Sequence, residues 1–223
     1  MSLFKIRDIG LTSYSKALEI QKECVVEVGE NNLPGIIILC EHHPVYTLGK
    51  SANPDNFLAN SDFLKSMGAE VHQTDRGGDI TFHGPGQLVV YPIINLSRFP
   101  IGIRAYVCCL ERSLISLLAR YGISASCVEG LTGVWLPANQ VSTDRKIAAI
   151  GIRVSRGITS HGIALNVNND LSFFDHIIPC GIKNKTVTSM EKELGLKQDF
   201  DAVKREFTVS FEKVLLNGKV MIG

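Results

Sequence analysis

Three segments of this 223-residue chain combine residue types that could do chemistry. The first, RGGDITFHGPGQ at 76–87, places an arginine, a histidine and four glycines between two apolar stretches. Glycines let a ligand approach the main chain, Arg76 offers a rigid fork of donors, and His83 titrates near neutrality. His83 alone is more typical of a core-capping histidine. The whole segment, however, predicts one wall of a ligand pocket, shaped by Thr81, Phe82 and His83.

The second segment, 145–167, is rich in small residues. Lys146 begins one strand-like run and His161 precedes the next, with alanines and glycines in both. Small side chains on adjacent strands leave room either for a ligand or for closely packed backbone. A lysine at the start of a strand is usually just solvated, so Lys146 alone indicates little.

The third segment is HIIPCGI at 176–182, where Cys180 lies between Pro179 and Gly181. Buried structural cysteines favour regular elements, whereas a thiol in a Pro-Cys-Gly turn is better placed for reaction. An inert loop cysteine remains an equal alternative on this pattern. Cys40, His42 and His43 lack a second ligand pair at a known spacing, so they more typically cap a strand end than bind a metal.

Apolar periodicity predicts the elements that position these segments. The helical patterns cover 13–28, 60–68, 104–120, 188–195 and 201–216. Thr188 and Glu191 form a capping-box pattern at the fourth helix. The strand-like runs cover 35–42, 69–75, 87–96, 133–137, 146–156 and 158–168. Helices and strands do not strictly alternate, which favours an α+β fold with mixed, largely antiparallel sheets and flanking helices. One domain, 1–223, is expected.

Composition narrows the class of protein. Lys+Arg number 23 against 22 Asp+Glu, so the chain has no large net positive charge that would indicate binding to nucleic acid or to an anionic membrane. Charges near the N-terminus interrupt any signal-peptide core, and no apolar run is long enough for a membrane span. A cytoplasmic protein is expected. Its six cysteines show no disulfide or C-x-x-C spacing and should be free thiols.

The three segments together resemble one family. RGGDITFHGPGQLVVY closely resembles the R-G-G-x-x-T-x-H-x-P-G-Q-x-x-x-Y signature of octanoyltransferases, also called lipoyl(octanoyl) transferases. KIAAIGIRV, HGIALNV and PCGI…TSM follow in that family's order and spacing. The resemblance runs from about residue 35 to 190, with no departure at a motif position.

The resemblance implies a biotin/lipoate protein ligase-like fold and an acyltransferase of protein lipoylation. Octanoyl-acyl carrier protein would be the donor. Lipoyl carrier domains would be the acceptors, as in the E2 subunits of 2-oxoacid dehydrogenases and the glycine-cleavage H protein. The acyl group would be held as a thioester on Cys180, with Lys146 as its partner and His161 in support. No cofactor, nucleotide or metal is expected. The implied substrate-binding residues are Arg76, Gly77, Gly78, Asp79, Ile80, Thr81, Phe82, His83, Ala149, Ile150, Gly151, Gly162, Ile163 and Ala164.

The roles implied for Cys180 and Lys146 are chemically reasonable, because an ammonium near a thiol favours the thiolate and can exchange protons with a leaving or attacking group. Three alternatives stay open. An ATP-dependent lipoate or biotin ligase shares the fold, a cysteine hydrolase could pair Cys180 with His161 or His176, and an inactive binding module could hold the same partners.

Overall fold

A computed structural model describes residues 3–138, 142–178 and 186–217. The helices are α1 (Tyr14–Glu30), α2 (Ser61–Ser66), α3 (Ile103–Arg120), α4 (Met190–Leu194) and α5 (Phe200–Asn217). The strands are β1 (Lys5–Thr12), β2 (Gly35–His42), β3 (Val45–Leu48), β4 (Glu70–Gln73), β5 (Ile80–His83), β6 (Gln87–Ile94), β7 (Ser126–Val128), β8 (Leu131–Leu136), β9 (Arg145–Ser155), β10 (Ile158–Asn166) and β11 (Thr186–Val187).

The main sheet has the order β1-β2-β6-β10-β9-β8-β7, with β11 added beside β9. The pairs β1–β2 and β11–β9 are parallel, and the other neighbours are antiparallel. A second sheet, β4-β3-β5, is also mixed. Mixed, largely antiparallel sheets are therefore confirmed.

The main sheet is buried on both faces. Apolar residues of α3 and α5 at helical spacing, such as Leu110, Leu114 and Phe207, pack on one face. Ala17, Cys24 and Val28 of α1 cover part of the other face. The second sheet has a smaller core, in which Phe82 stacks on Phe173 with ring centroids 4.3 Å apart.

Every predicted helix and strand is present, with shifts of a few residues at its ends. Five strands, β1, β3, β5, β7 and β11, were not predicted. The capping box at α4 was also wrong. Ser189 is the N-cap and its hydroxyl accepts from the Lys192 amide. The Thr188 hydroxyl instead donates to Glu193 over 2.6 Å.

A β-bulge between β8 and β9 decides which way Lys146 points. Val134 pairs with Ala148, but the next residue, Trp135, pairs with Lys146, so β9 advances by one extra residue. Ile147 and Ala148 consequently both lie in the core under α3 and α5. Strict alternation would have sent Lys146 to that core. The bulge sends it to the opposite face of the sheet.

Candidate functional site

The face of the main sheet that Lys146 reaches carries a cavity of about 380 Å³. Its lining comes from β6, β9 and β10, from residues 76–83 (hereafter the 76–83 loop), and from Tyr14 on α1. Apolar atoms supply most of the lining, which suits a ligand that is largely hydrocarbon.

Most of the residues predicted to bind substrate line this cavity, as do Lys146 and His161. Gly77 and Phe82 lie outside its lining. Cys180 is outside the described residues, together with the rest of 179–185. The residues brought to the cavity are Arg76, Gly78, Asp79, Ile80, Thr81, His83, Ala149, Ile150, Gly151, Gly162, Ile163 and Ala164.

Arg76 lines the cavity, yet its guanidinium is used to fold the loop that carries it. It donates to the backbone carbonyls of Thr47, Gly77 and Asp79 over 2.6, 3.0 and 2.8 Å. Its Nε and Nη2 also donate to the Thr47 hydroxyl. The planar fork thus fixes the 76–83 loop against β3.

The glycines at 77, 151 and 162 serve close packing of backbone. The Gly77 amide donates to the Ile152 carbonyl over 2.9 Å, which ties the loop to β9. A Cβ on Gly151 would lie 2.8 Å from the Gly77 oxygen, and one on Gly162 would lie 2.1 Å from the Val90 oxygen. Of the two alternatives for these small residues, closely packed backbone holds for Gly151 and Gly162. The cavity-facing floor is formed by Ala149 and Ala164.

His83 is held as a neutral side chain within a buried network. The Gln87 amide nitrogen donates to Phe82 O and Asn166 Oδ1, so its oxygen accepts from His83 Nδ1 over 2.8 Å. His83 Nε2 lies 3.3 Å from the Thr47 hydroxyl. Burial, aided by nearby positive charge, lowers the pKa of His83 to about 3. His83 therefore shapes the wall and does not accept protons at neutral pH.

Two tyrosines extend the lining beyond the predicted residues. The Tyr91 hydroxyl donates to His42 Nε2 over 2.7 Å, while His42 Nδ1 faces the Thr12 carbonyl at 3.1 Å. Burial lowers the pKa of His42 to about 4 and raises that of Tyr14 to about 12. The Tyr14 ring stacks parallel to His83. This part of the cavity is thus aromatic and uncharged at neutral pH.

His161 occupies a left-handed backbone conformation, with φ +57. Its Nε2 donates to Asp75 Oδ1 over 2.7 Å, and its backbone amide donates to the Gln21 side chain over 2.8 Å. Arg153 binds the other Asp75 oxygen at 2.6 Å. Burial lowers the pKa of His161 and the Asp75 carboxylate only partly opposes this. His161 is therefore fixed in place by its carboxylate partner.

Lys146 is 7% exposed, and its Nζ lies 4.6 Å from the centroid of the Trp135 ring, which is 2% exposed. The solvated strand-end lysine expected as the ordinary alternative is therefore not what the structure contains. A buried cation in the lining of a mostly apolar cavity can act on a bound reactive group.

The cavity residues that sequence reasoning missed include Tyr14, Ser51, Gln87, Tyr91, Asn166 and Val187. Gln87 belongs to the motif already quoted, so it could have been found there. Asn166 ends strand β10, within the small-residue segment already singled out, so it could have been found there in the same way. Tyr14 comes from α1, far away in the sequence, and only the packing of that helix on the sheet brings it to the cavity.

No group of three or more His, Cys, Asp or Glu side chains within the described ranges is arranged to hold a metal ion. The cysteines at 24, 40, 108, 109 and 127 are free thiols, as predicted. No helix in the described part of the chain is long and apolar enough to cross a membrane.

Fold and site together define a catalytic domain of the lipoyl ligase type. The family model of the lipoyl protein ligase A/B catalytic domain matches residues 13–212. A solved structure of an archaeal lipoylation system from Thermoplasma acidophilum, described as a bi-partite lipoate protein ligase and its E2 lipoyl domain, has the same fold. It superposes with a TM-score of 0.72 at 14% identity, covering 96% of this chain and 84% of that one. The biotin/lipoate ligase-like fold expected from the sequence is confirmed.

Two relatives narrow the family further. An octanoyltransferase of Bacteroides fragilis is 48% identical over 202 residues, 88% of this chain and 91% of that protein. An octanoyltransferase of Porphyromonas gingivalis is 42% identical over 95% of this chain, which spans only 44% of that relative's length. This chain belongs to the octanoyltransferase family, the acyltransferases of protein lipoylation. Such enzymes use an acyl donor and a lipoyl-domain acceptor.

Proposed function

We propose that the protein moves an octanoyl group from acyl carrier protein to a lysine of a lipoyl domain, through a thioester on Cys180. The observation that supports this most is the position of Lys146. A buried ammonium contributes to the lining of a mostly apolar cavity, on the strand that pairs with the chain leaving the 179–185 segment.

In the first half-reaction, the Cys180 thiolate attacks the carbonyl carbon of the donor thioester. A new C–S bond to Cys180 forms and the bond to the carrier's phosphopantetheine sulfur breaks. The Lys146 ammonium stabilises the attacking thiolate and gives a proton to the departing sulfur. The donor thioester is already activated, so the step requires no nucleotide.

In the second half-reaction, the amine of the acceptor lysine attacks the Cys180 thioester. The amide bond forms, the C–S bond breaks, and the amine's proton passes to Lys146, which was left neutral by the first step. The enzyme returns to its starting protonation state, so atoms and protons balance over the cycle.

The cavity would hold the octanoyl chain, with Ala149 and Ala164 as its floor and the 76–83 loop as its wall. Each buried methylene contributes about 0.8 kcal/mol, so eight carbons give a useful share of donor binding. Residues 1–223 would form one catalytic domain without a cofactor or metal, acting in the cytoplasm. The acceptors would be E2 lipoyl domains or the glycine-cleavage H protein.

The test is incubation with octanoyl-acyl carrier protein in the absence of ATP, followed by intact mass measurement and peptide mapping. We expect a hydroxylamine-labile octanoyl group on the peptide that contains Cys180. Cys127→Ala is the matched control, because Cys127 is an exposed free thiol and its removal should leave acylation unchanged.

Acylation of Cys180→Ala to the wild-type extent would contradict the thioester. Acyl transfer that occurs only with free octanoate and ATP, with release of pyrophosphate, would establish the ligase alternative instead. A stable adduct that is never passed to a lipoyl domain would indicate a binding module.

A further inference from the structure

The strand pair β8–β9 brings the chain's single tryptophan against the cavity lysine. Lys146 Nζ lies over the Trp135 ring, 4.6 Å from its centroid, and both side chains are almost completely buried. A cation within about 6 Å of an indole face is attracted by the ring quadrupole, most strongly where water is excluded.

Two backbone features make this contact possible. The bulge at Ile147 places Lys146 directly opposite Trp135 on the cavity face of the sheet. Gly133, with φ +119, leaves space for the lysine stem. A Cβ there would lie 3.3 Å from Lys146 Cε and 2.6 Å from the Ala148 oxygen. The lysine is thus confined between the Gly133 backbone and the indole.

We propose that Trp135 is a positioning residue for acyl transfer, which holds the Lys146 ammonium at the cavity by a cation–π contact. This inference rests on the proposed role of Lys146 in the chemistry.

The indole suits this task for a physical reason. The face of an aromatic ring attracts the cation without adding a countercharge. It accepts no proton, so the ammonium can still donate one to a leaving sulfur.

The sharpest test keeps the shape of the side chain and changes only the ring's electron density. Because the chain has one tryptophan, biosynthetic replacement by tryptophans with one, two and three fluorines alters that position alone. Fluorine withdraws electron density from the ring face and weakens cation–π attraction. We expect kcat to fall stepwise along the series while KM for the carrier-bound donor stays nearly constant. A flat series, with the fold intact by circular dichroism, would overturn the proposal.

Substitutions give a second measurement. Trp135→Met keeps a long apolar side chain but removes the ring and should lower kcat about tenfold or more, whereas Trp135→Phe should recover most of the loss. Phe207→Leu, in the core on the other face of the sheet, is the packing control and should change thermal stability but not kcat. Equal kcat in Trp135→Met and Trp135→Phe would contradict a role for the ring.

A double-mutant cycle separates this inference from the proposed function. If Trp135 acts through the ammonium, Trp135→Met should add no further loss of kcat in the Lys146→Ala background. Full additivity of the two losses of kcat would overturn the inference about Trp135 but not the proposed role of Lys146. Near-normal turnover in Lys146→Ala would instead remove the proposed role of Lys146, and the inference with it.

Discussion

The backbone amide of Thr188 donates a hydrogen bond to the carbonyl of Lys146 over 2.9 Å. Val187, one residue earlier, pairs in parallel with Lys146, so the chain that follows the 179–185 segment is registered on the strand that carries the cavity lysine. A second set of hydrogen bonds, outside the cavity, reinforces this register. Glu193 accepts from the Thr188 hydroxyl and from both Nε and Nη2 of Arg145.

The first prediction concerns the hydrogen bonds that Glu193 accepts. Burial alone would raise the pKa of Glu193, but hydrogen bonds from Arg145 and Thr188 outweigh it and hold the pKa below its ordinary value. Glu193→Gln should lower the free energy of unfolding by about 1–3 kcal/mol, because hydrogen bonds to a charged group are lost. It should also reduce kcat several-fold, since β11 loosens from β9. Urea denaturation and turnover assays measure both effects.

Glu191→Gln is the matched control, two residues earlier on the same short helix, and should change stability by less than about 0.5 kcal/mol. Equal behaviour of the two variants would show that the Arg145–Glu193 pair has no part in registering β11.

The second prediction is a loss of stability as the pH falls from 6.5 to about 4 through His42 and to about 3 through His83. The pKa values of His42 and His83 are about 4 and about 3 in the folded protein, below the ordinary 6.5. As the pH falls below 6.5, the unfolded chain binds protons at these positions and the folded chain does not. The free energy of unfolding therefore falls by up to about 1.4 kcal/mol per pH unit for each histidine.

His42→Gln should flatten this slope, whereas His43→Gln, at an exposed neighbour, should leave it as in the wild type. Urea unfolding at several pH values measures it. A slope that is the same in both variants would contradict a neutral, buried His42.

The third prediction concerns the length of the acyl chain. Ala164 is 3% exposed and contributes to the cavity floor beside Ala149, its partner on β9. Ala164→Leu should fill part of the cavity and reduce kcat/KM for octanoyl donors more than for butyryl donors. The wild type should prefer octanoyl over butyryl, since each methylene is worth about 1–3 kcal/mol in a hydrophobic pocket, and over palmitoyl, because a slot with a closed end rejects the longer chain.

Competition between carrier-bound donors measures the ratios of their kcat/KM values directly. Val209→Leu, a change of similar kind on the exposed face of α5, is the control. If Ala164→Leu reduces all donors equally, the chain does not occupy the floor near Ala164.

The fourth prediction tests the chemistry of Lys146. Lys146→Ala should keep the fold and lose most transfer activity, because activation of Cys180 and proton transfer both suffer. Lys146→Arg should also be poor, since a guanidinium keeps the charge but gives up no proton at neutral pH. The measurements are turnover and the pH dependence of iodoacetamide alkylation at Cys180. Unchanged profiles and normal turnover in both variants would contradict the role.

Much of the fold could be predicted because its elements carry strong local patterns. The stripe of α3 and the apolar run of β2 are examples, and the residues that make them are buried as the pattern requires. β1 could not be predicted from its own residues, since it is an edge strand with an irregular, half-exposed pattern. Its pairing with β2 is a long-range contact.

Much of the candidate site could be predicted from its motifs, but the direction of its side chains could not. Arg76 was expected to offer its donors to a ligand, whereas the structure uses them on backbone carbonyls of its own loop and of Thr47 on β3. The cause is the close packing of the loop on β3, which no local pattern shows. Likewise, alternation along β9 would have placed Lys146 in the core, and only the bulge turns its side chain to the cavity face.

The sequence also predicts a basic patch near the cavity for an acidic carrier protein, drawn from Arg145, Arg153, Arg156, Lys183 or Lys185, of which the last two lie outside the described residues. Arg145 and Arg153, two of its expected members, are bound to Glu193 and Asp75. These pairs neutralise part of the charge that the sequence alone would assign to a partner.

The position of Trp135 also gives the protein a built-in optical reporter. All of its tryptophan emission arises from one indole, buried under the cavity lysine, because the remaining aromatic residues are ten phenylalanines and five tyrosines. Light absorbed at the red edge of the indole band therefore samples a single location in the molecule. Changes in emission intensity or lifetime should follow loading and unloading of the neighbouring cavity in real time, without any attached dye.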